Sequence, residues 1–186
     1  IGPLELVWCQ DCQLVQLNHS FDLDEMYGEN YGYRSGLNSS MVEHLSSKVH
    51  HLERKVNLLK NDCVIDIGSN DATTLKAYST ANLNKIGIDP TGLKFKEYYT
   101  DDVQLIADFF PSEEVHKAIN NSKVKIITSI AMFYDLEDPV VFVQSIHDIL
   151  DDDGIWTCEQ SYLLEMLKTN SLDTICHEHL EYYALT

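Results

Sequence analysis

Positive charge is what this 186-residue sequence has least of, with 13 lysines and arginines against 30 aspartates and glutamates and a formal net charge of −17. A surface of that sign repels phosphate backbones and anionic lipid headgroups, which argues against nucleic-acid binding and against a membrane-surface role. Its ordinary meaning is a solvated acidic exterior. No apolar run approaches the ~20 residues of a membrane-spanning helix, and Ile1 to Gln10 lacks the basic-then-apolar order of a secretory signal. A cytoplasmic, soluble protein is expected. Cysteine is scarce and odd in number, five, and Cys63, Cys158 and Cys176 lie in or beside apolar or motif-like stretches. Reduced thiols are expected rather than a disulfide framework. The G-x-G-x-x-G fingerprint is missing, since Gly68 is the only glycine between Cys63 and Lys85, and so is H-E-x-x-H. A pyrophosphate cradle and a zincin-type metal site lose their support.

What is present begins with enough apolar residues, 44%, to bury one main core and a small appendage. Leu4, Leu6 and Trp8, then Leu14, Val15 and Leu17, flank Cys9-x-x-Cys12 and suggest a short hairpin-like unit. That C-x-x-C spacing is one half of a structural zinc site; the alternative is a pair of free thiols or a metal-less remnant, because no second C-x-x-C supplies the other two ligands. Residues 18 to 37 are polar and rich in Tyr and Gly, including Tyr27, Tyr31, Tyr33 and Gly36. Such a loop either lines a pocket or packs on the main domain through its tyrosines. Ser40 and Glu43 form a capping-box pair, and Leu45, Val49, Leu52, Val56 and Leu59 recur at helical spacing. The apolar stripe of this helix packs on a core or on a partner chain.

After Asn61 short apolar runs alternate with helical stretches. Cys63–Ile67, Lys85–Ile88, Gln104–Ala107, Val124–Ser129 and Ile155–Glu159 are near-continuous apolar segments, as buried parallel strands are. Helices are predicted near 72–80, 92–99, 112–121, 138–150 and 161–169. The alternation predicts an α/β fold with a Rossmann-like, doubly wound parallel sheet, preceded by a hairpin and a long helix. Two units are expected, a small one over 1–37 and the α/β domain over 38–186.

Three carboxylates fall at the ends of successive strands. Asp66 closes the first and is followed by Gly68, which lets ligand atoms approach the backbone. Asp89 ends the second strand, where a carboxylate can accept two ribose hydroxyls, and Asp108 follows the third, where a polar group would meet an adenine edge. A strand-end Asp can also be a helix cap or turn former, but three in register favour a ligand site.

D-I-G-S-N-D at 66–71 followed by G-I-D-P-T at 87–91 resembles the first two motifs of class I methyltransferases. The segment Asp173 to Tyr183, with Cys176-His177-Glu178-His179-Leu180-Glu181-Tyr182-Tyr183, resembles the H-E-H-L-x-Y-Y block of C-methyltransferases of nucleotide-linked 4-keto-deoxysugars. Those proteins also open with a zinc-binding knuckle, similar to Cys9-x-x-Cys12, and a Tyr-rich stretch, so the likeness spans nearly the whole chain. The resemblance implies S-adenosylmethionine as cofactor, held by Asp66, Gly68, Asn70, Asp71, Asp89, Pro90, Asp108 and Met132. It implies His179 as general base, Glu178 as its tautomer-fixing partner or a ligand of sugar hydroxyls, and Tyr33 or Tyr31 at the sugar. His177 has a supporting part at most. Adjacent strand residues point to opposite faces, so the 178–179 segment must turn for both to reach one ligand. Zinc at Cys9 and Cys12 would be a half site only.

The chain also departs from that family. Cys176 stands where many members have tyrosine, and Ala131-Met132-Phe133-Tyr134-Asp135 stands where many place a histidine. Met132 and Phe133 are then expected to flank the adenosine or methionine moiety, with Tyr134 supplying a hydroxyl. Ala72 replaces a usual glycine, at small expected cost because alanine is the better helix former. The family also continues past the Tyr182-Tyr183 block, so the chain reads as truncated at both ends. Two rivals remain, a nicotinamide-dependent oxidoreductase on the same sheet and a non-catalytic binding module whose partner takes the long helix. Oligomeric state stays open.

Overall fold

The computed structural model describes residues 3–22, 26–27 and 31–185. The unit expected over 1–37 thus lies partly outside the described residues. Its hairpin is present: β1 (Leu6–Trp8) and β2 (Val15–Leu17) pair antiparallel, Trp8 opposite Val15. A third strand that the sequence did not suggest, β8 (Glu181–Tyr182), adds to β2 with Val15 opposite Tyr182. The Leu17 N–H also donates to the Leu180 carbonyl at 2.8 Å. The block at 176–183 is therefore hung on the hairpin at the other end of the chain.

The main sheet is parallel, in the order β5-β4-β3-β6-β7, from Val103–Ile106, Asn84–Ile88, Cys63–Ile67, Val124–Ile130 and Leu150–Glu159. All residues of β3 are buried, which is why its sequence does not alternate. Cys63, Ile65 and Ile67 face one core layer, with Ile119 of α3 (Glu113–Ile119) and Phe142 and Ile146 of α4 (Pro139–Ile149). Val64 faces the other, with Val49 and Leu52 of α1 (Ser39–Lys55) and Leu75 of α2 (Thr73–Lys76). Helices thus cover both faces, and the α/β doubly wound reading holds. A final helix, α5 (Leu163–Thr169), follows β7.

Helix boundaries differ from the sequence reading for local reasons. Asn38, not Ser40, caps α1, its side chain accepting the Ser40 N–H at 3.0 Å. The stripe Leu45, Val49, Leu52 is buried on the sheet, leaving it no role as a partner surface, and Leu59 lies past the helix end, exposed. The expected helix at 72–80 shortens to α2, ending at Lys76, and before it Asn70 and Ala72 both adopt left-handed backbone, φ 50° and 59°. Ala72 therefore carries the conformational cost that glycine would avoid, contrary to the expectation from helix propensity. The 92–99 stretch breaks into two 3-10 turns, Pro90–Leu93 and Lys96–Tyr98, the first capped by the Asp89 side chain on the Thr91 N–H.

Candidate functional site

The strand order reverses at β3, between β4 and β6, and a crevice opens at the carboxyl ends of these strands, as such sheets dictate. It is a cavity of about 940 Å³, at the upper end of the range for ligand sites. Gly68 forms one lip. Its φ of +75° disfavours any side chain, and a Cβ there would stand 3.2 Å from Met132 Cγ across the crevice. The turn is fixed to β4 by Gly68 and Ser69 N–H groups donating to the Ile88 carbonyl, at 2.8 and 3.2 Å.

Asp89 closes the same turn. Its Oδ2 accepts the Asn70 N–H at 2.7 Å, and its Oδ1 accepts the Thr91 N–H and hydroxyl at 2.7 and 2.6 Å. Carboxylate oxygens carry about two acceptor sites each, so Oδ2 keeps capacity toward the cavity that Asp89 lines. Asp66 lies in the floor, buried, with its carboxyl accepting Thr128 Oγ1 at 2.5 Å. Burial pushes it up to about 7, against the hydrogen bonds from Thr128 and Thr74. Asn70, Pro90, Asp108 and Met132 also border the cavity, with Asp108 exposed at its rim.

Asp71 does not join them. Its Oδ2 accepts the Gly36 N–H at 3.0 Å and pairs with Arg34 Nη1 at 3.2 Å, while Oδ1 takes the Thr73 hydroxyl at 2.5 Å. The Asp71 carboxylate, expected at the cofactor, anchors the Tyr-rich segment and is not part of the cavity lining. Asn70 anchors it as well, accepting the Ser35 N–H and donating to the Tyr33 carbonyl, both at 3.0 Å. Lys94 Nζ donates to the Tyr31 carbonyl at 2.5 Å. So Tyr31 and Tyr33 reach the cavity wall, with Tyr33 half exposed at its edge.

The backbone bends over 176–178, and both Glu178 and His179 line the cavity. His179 Nδ1 lies 2.7 Å from the Thr174 carbonyl oxygen. A carbonyl only accepts, so Nδ1 carries the proton and the neutral ring keeps its lone pair on Nε2. Thr174, not Glu178, thus fixes the tautomer. The imidazole packs on Tyr134, ring centroids 4.1 Å apart. His177 turns instead to Phe21, at 4.7 Å, and does not line the cavity. Phe133, expected beside the ligand, packs into the aromatic core against Phe142 and Trp156.

Three residues of the site had no role from the sequence beyond Tyr27's place in a loop that could line a pocket. Tyr27 donates to Asp135 Oδ2 at 2.6 Å, both bordering the cavity, and Asp135 Oδ1 is buried without a hydrogen-bond partner. Burial, with Glu178 adding to it, raises Asp135 to about 8 against the Tyr27 hydrogen bond; burial and Asp135 hold the Tyr27 phenol well above its ordinary range. Burial also pushes Tyr31 up to about 12. The third, Glu159, ends β7 and takes His44 Nε2 at 2.8 Å and Lys48 Nζ at 2.6 Å from α1. Burial opposes its ionisation, but those two partners hold it below the ordinary carboxylate value. Tyr27 and Asp135 stand 108 positions apart, so no local pattern could have joined them.

Cys9 and Cys12 sit in the hairpin turn, away from the cavity lining, and are free thiols. Backbone N–H groups of Cys12 and Asp11 lower the Cys9 thiol from its ordinary value. Among the described residues no group of three or more His, Cys, Asp and Glu side chains is placed to hold a metal, so zinc gains no support. Nor is any described helix long and apolar enough to cross a membrane.

Comparison with known proteins agrees with the fold. A family profile described as a methyltransferase domain matches residues 37–186. The C-methyltransferase NovU of Streptomyces niveus is 28% identical over 184 residues, covering 98% of this chain and 44% of that protein. The chain thus spans less than half the length of this curated relative. Coclaurine N-methyltransferase, solved with N-methylheliamine and SAH, superposes with a TM-score of 0.57 at 11% identity, over 79% of this chain and 47% of that one. The plantazolicin methyltransferase BpumL, solved with a triazolic desmethylPZN analogue and SAH, gives 0.56 at 12% identity, over 78% and 56%. At such identities the likeness is one of fold.

Proposed function

The chain belongs to the methyltransferase-domain family, and we propose from that premise that its cleft uses S-adenosylmethionine to methylate the carbon next to the ketone of a nucleotide-linked 4-keto-deoxysugar. The observation that carries this reading is the shared cavity, which the Gly68 turn, Asp89 and His179 all line. The residues fit the cofactor. Gly68 leaves the backbone open where a Cβ would meet Met132, Asp89 Oδ2 has acceptor capacity for ribose hydroxyls, and Asp108 stands at the rim for the adenine edge. When bound, S-adenosylmethionine supplies an electrophilic methyl group on a sulfonium.

His179 Nε2 takes the proton from the carbon beside the ketone, since Thr174 holds the other ring nitrogen protonated. The same carbonyl steadies the imidazolium that results. Glu178 and Tyr33 offer acceptors and donors for sugar hydroxyls, and the step rests on holding the reacting carbon in line with the methyl group. The likeness over 98% of the chain to a protein named as a C-methyltransferase supports methylation on carbon. The nicotinamide alternative has the single glycine of the β3 turn and the family match against it.

Thermal shift with S-adenosylhomocysteine and with NAD separates the cofactor classes. Stabilisation by the first and not the second is expected, and the reverse removes the proposal. Incubation of the chain with labelled S-adenosylmethionine and a 4-keto-deoxysugar nucleotide then tests the substrate. Label on oxygen, or none with several such sugars, contradicts it.

A further inference from the structure

Removing a proton from carbon beside a ketone places negative charge on the ketone oxygen, and the base alone does nothing for that charge. The wall that holds His179 contains a second hydrogen-bonding device. Among the described residues the one hydrogen bond to the Asp135 carboxyl is from Tyr27 at 2.6 Å, while Oδ1 is buried with no partner. A carboxylate with one oxygen wholly unsolvated is costly to keep; a neutral carboxylic acid is far less so. Glu178, which borders the same cavity, adds a negative charge that favours the neutral form. Tyr31, Tyr134 and Tyr182 also feel Asp135 and bring no positive charge, and His179, the base, packs on Tyr134 and borders the same cavity.

Resting on the methyltransferase reading above, we infer that Tyr27 is the hydrogen-bond donor to the ketone oxygen, and that neutral Asp135 positions it by donating its own proton to the phenol oxygen. With Asp135 ionised, the phenol hydrogen is spent on Oδ2. With Asp135 protonated, the same 2.6 Å contact runs the other way, Asp135 O–H to Tyr27 Oη, and the phenol hydrogen turns to the cavity. The proton count balances. One proton passes from carbon to His179 Nε2, the electron pair moves to the ketone oxygen, and the Tyr27 hydrogen bonds that oxygen without leaving the phenol. Tyr27 keeps its hydrogen throughout the working pH range, because burial disfavours the phenolate. Asp135 is raised to about 8, so the donating arrangement is present at neutral pH and is lost as pH rises past that value.

The test is deuterium entry from solvent into the carbon beside the ketone of a 4-keto-deoxysugar nucleotide, with S-adenosylhomocysteine in place so that no methyl group moves. Tyr27→Phe should slow entry roughly 10²-fold, as loss of an oxyanion donor does. Asp135→Leu should slow it similarly. Asp135→Asn, whose amide N–H can still donate to the phenol oxygen, should restore most of the rate and abolish the fall above pH 8 seen in the parent. A separate reading needs no turnover: the infrared difference between the ligand-free parent and Asp135→Asn at pH 7 should contain a protonated-carboxyl band, which the protonated fraction of Asp66, common to both, does not supply. Wild-type exchange left intact by Tyr27→Phe, or absence of that band, overturns the Tyr27–Asp135 arrangement alone. No exchange by the wild type with the band present overturns the ketosugar reading and this step with it.

Discussion

Replacing His179 by asparagine separates the base from its scaffold. The asparagine Nδ2 can occupy the place of imidazole Nδ1 and keep the 2.7 Å hydrogen bond to the Thr174 carbonyl, while the Nε2 lone pair disappears. The structural loss is the ring contact with Tyr134, centroids 4.1 Å apart, a type of contact worth about 0.5–1.5 kcal/mol. For a domain of this size that lowers Tm by roughly 2–6 °C. Catalysis should suffer far more. A positioned general base contributes about 10²- to 10⁴-fold, equivalent to roughly 2.7–5.5 kcal/mol on the barrier. Methyl transfer under single-turnover conditions should fall by that factor, with S-adenosylhomocysteine affinity by calorimetry unchanged, because His179 contacts Thr174 and Tyr134 and not the Gly68 turn. Transfer by His179→Asn within about threefold of the parent would refute the assignment of the base.

Other substitutions probe the turn and its surroundings. Ala72→Gly should stabilise the chain by about 1 kcal/mol, since φ of 59° costs alanine and not glycine; an unchanged or lower midpoint in urea would contradict the strain. Asp66 is raised to about 7 in the fold, so the unfolded chain releases that proton at lower pH, and stability falls as pH rises between about 4 and 7. Asp66→Asn should flatten that part of the Tm-against-pH curve, and an unaltered slope would remove Asp66 as its source. Asp71→Ala should cost about 2–3 kcal/mol by leaving the Gly36 and Thr73 donors without an acceptor, yet change S-adenosylhomocysteine affinity little; an affinity loss matching Asp89→Ala would make it a ligand after all.

The sheet was legible because β3 and its neighbours are short apolar runs, and buried parallel strands have no other economical pattern. Gly68 and Asp89 were legible for a related reason, as strand ends in a doubly wound sheet face one crevice. Asp71 was not, because the left-handed residues on either side, Asn70 and Ala72, direct its side chain to Arg34 and Gly36 instead. Strand β8 escaped notice since two residues make no pattern. The Tyr27–Asp135 contact joins distant segments, and the Thr174 carbonyl that orients His179 is main chain, which residue types do not report.

The measurement that bears most directly on the whole account is a structure of the chain with S-adenosylhomocysteine. The adenosyl group should lie over Gly68, with its ribose hydroxyls within hydrogen-bond distance of the Asp89 carboxylate and its sulfur toward the cavity that His179 borders. A nucleoside seated elsewhere, or one whose ribose leaves Asp89 untouched, would contradict it.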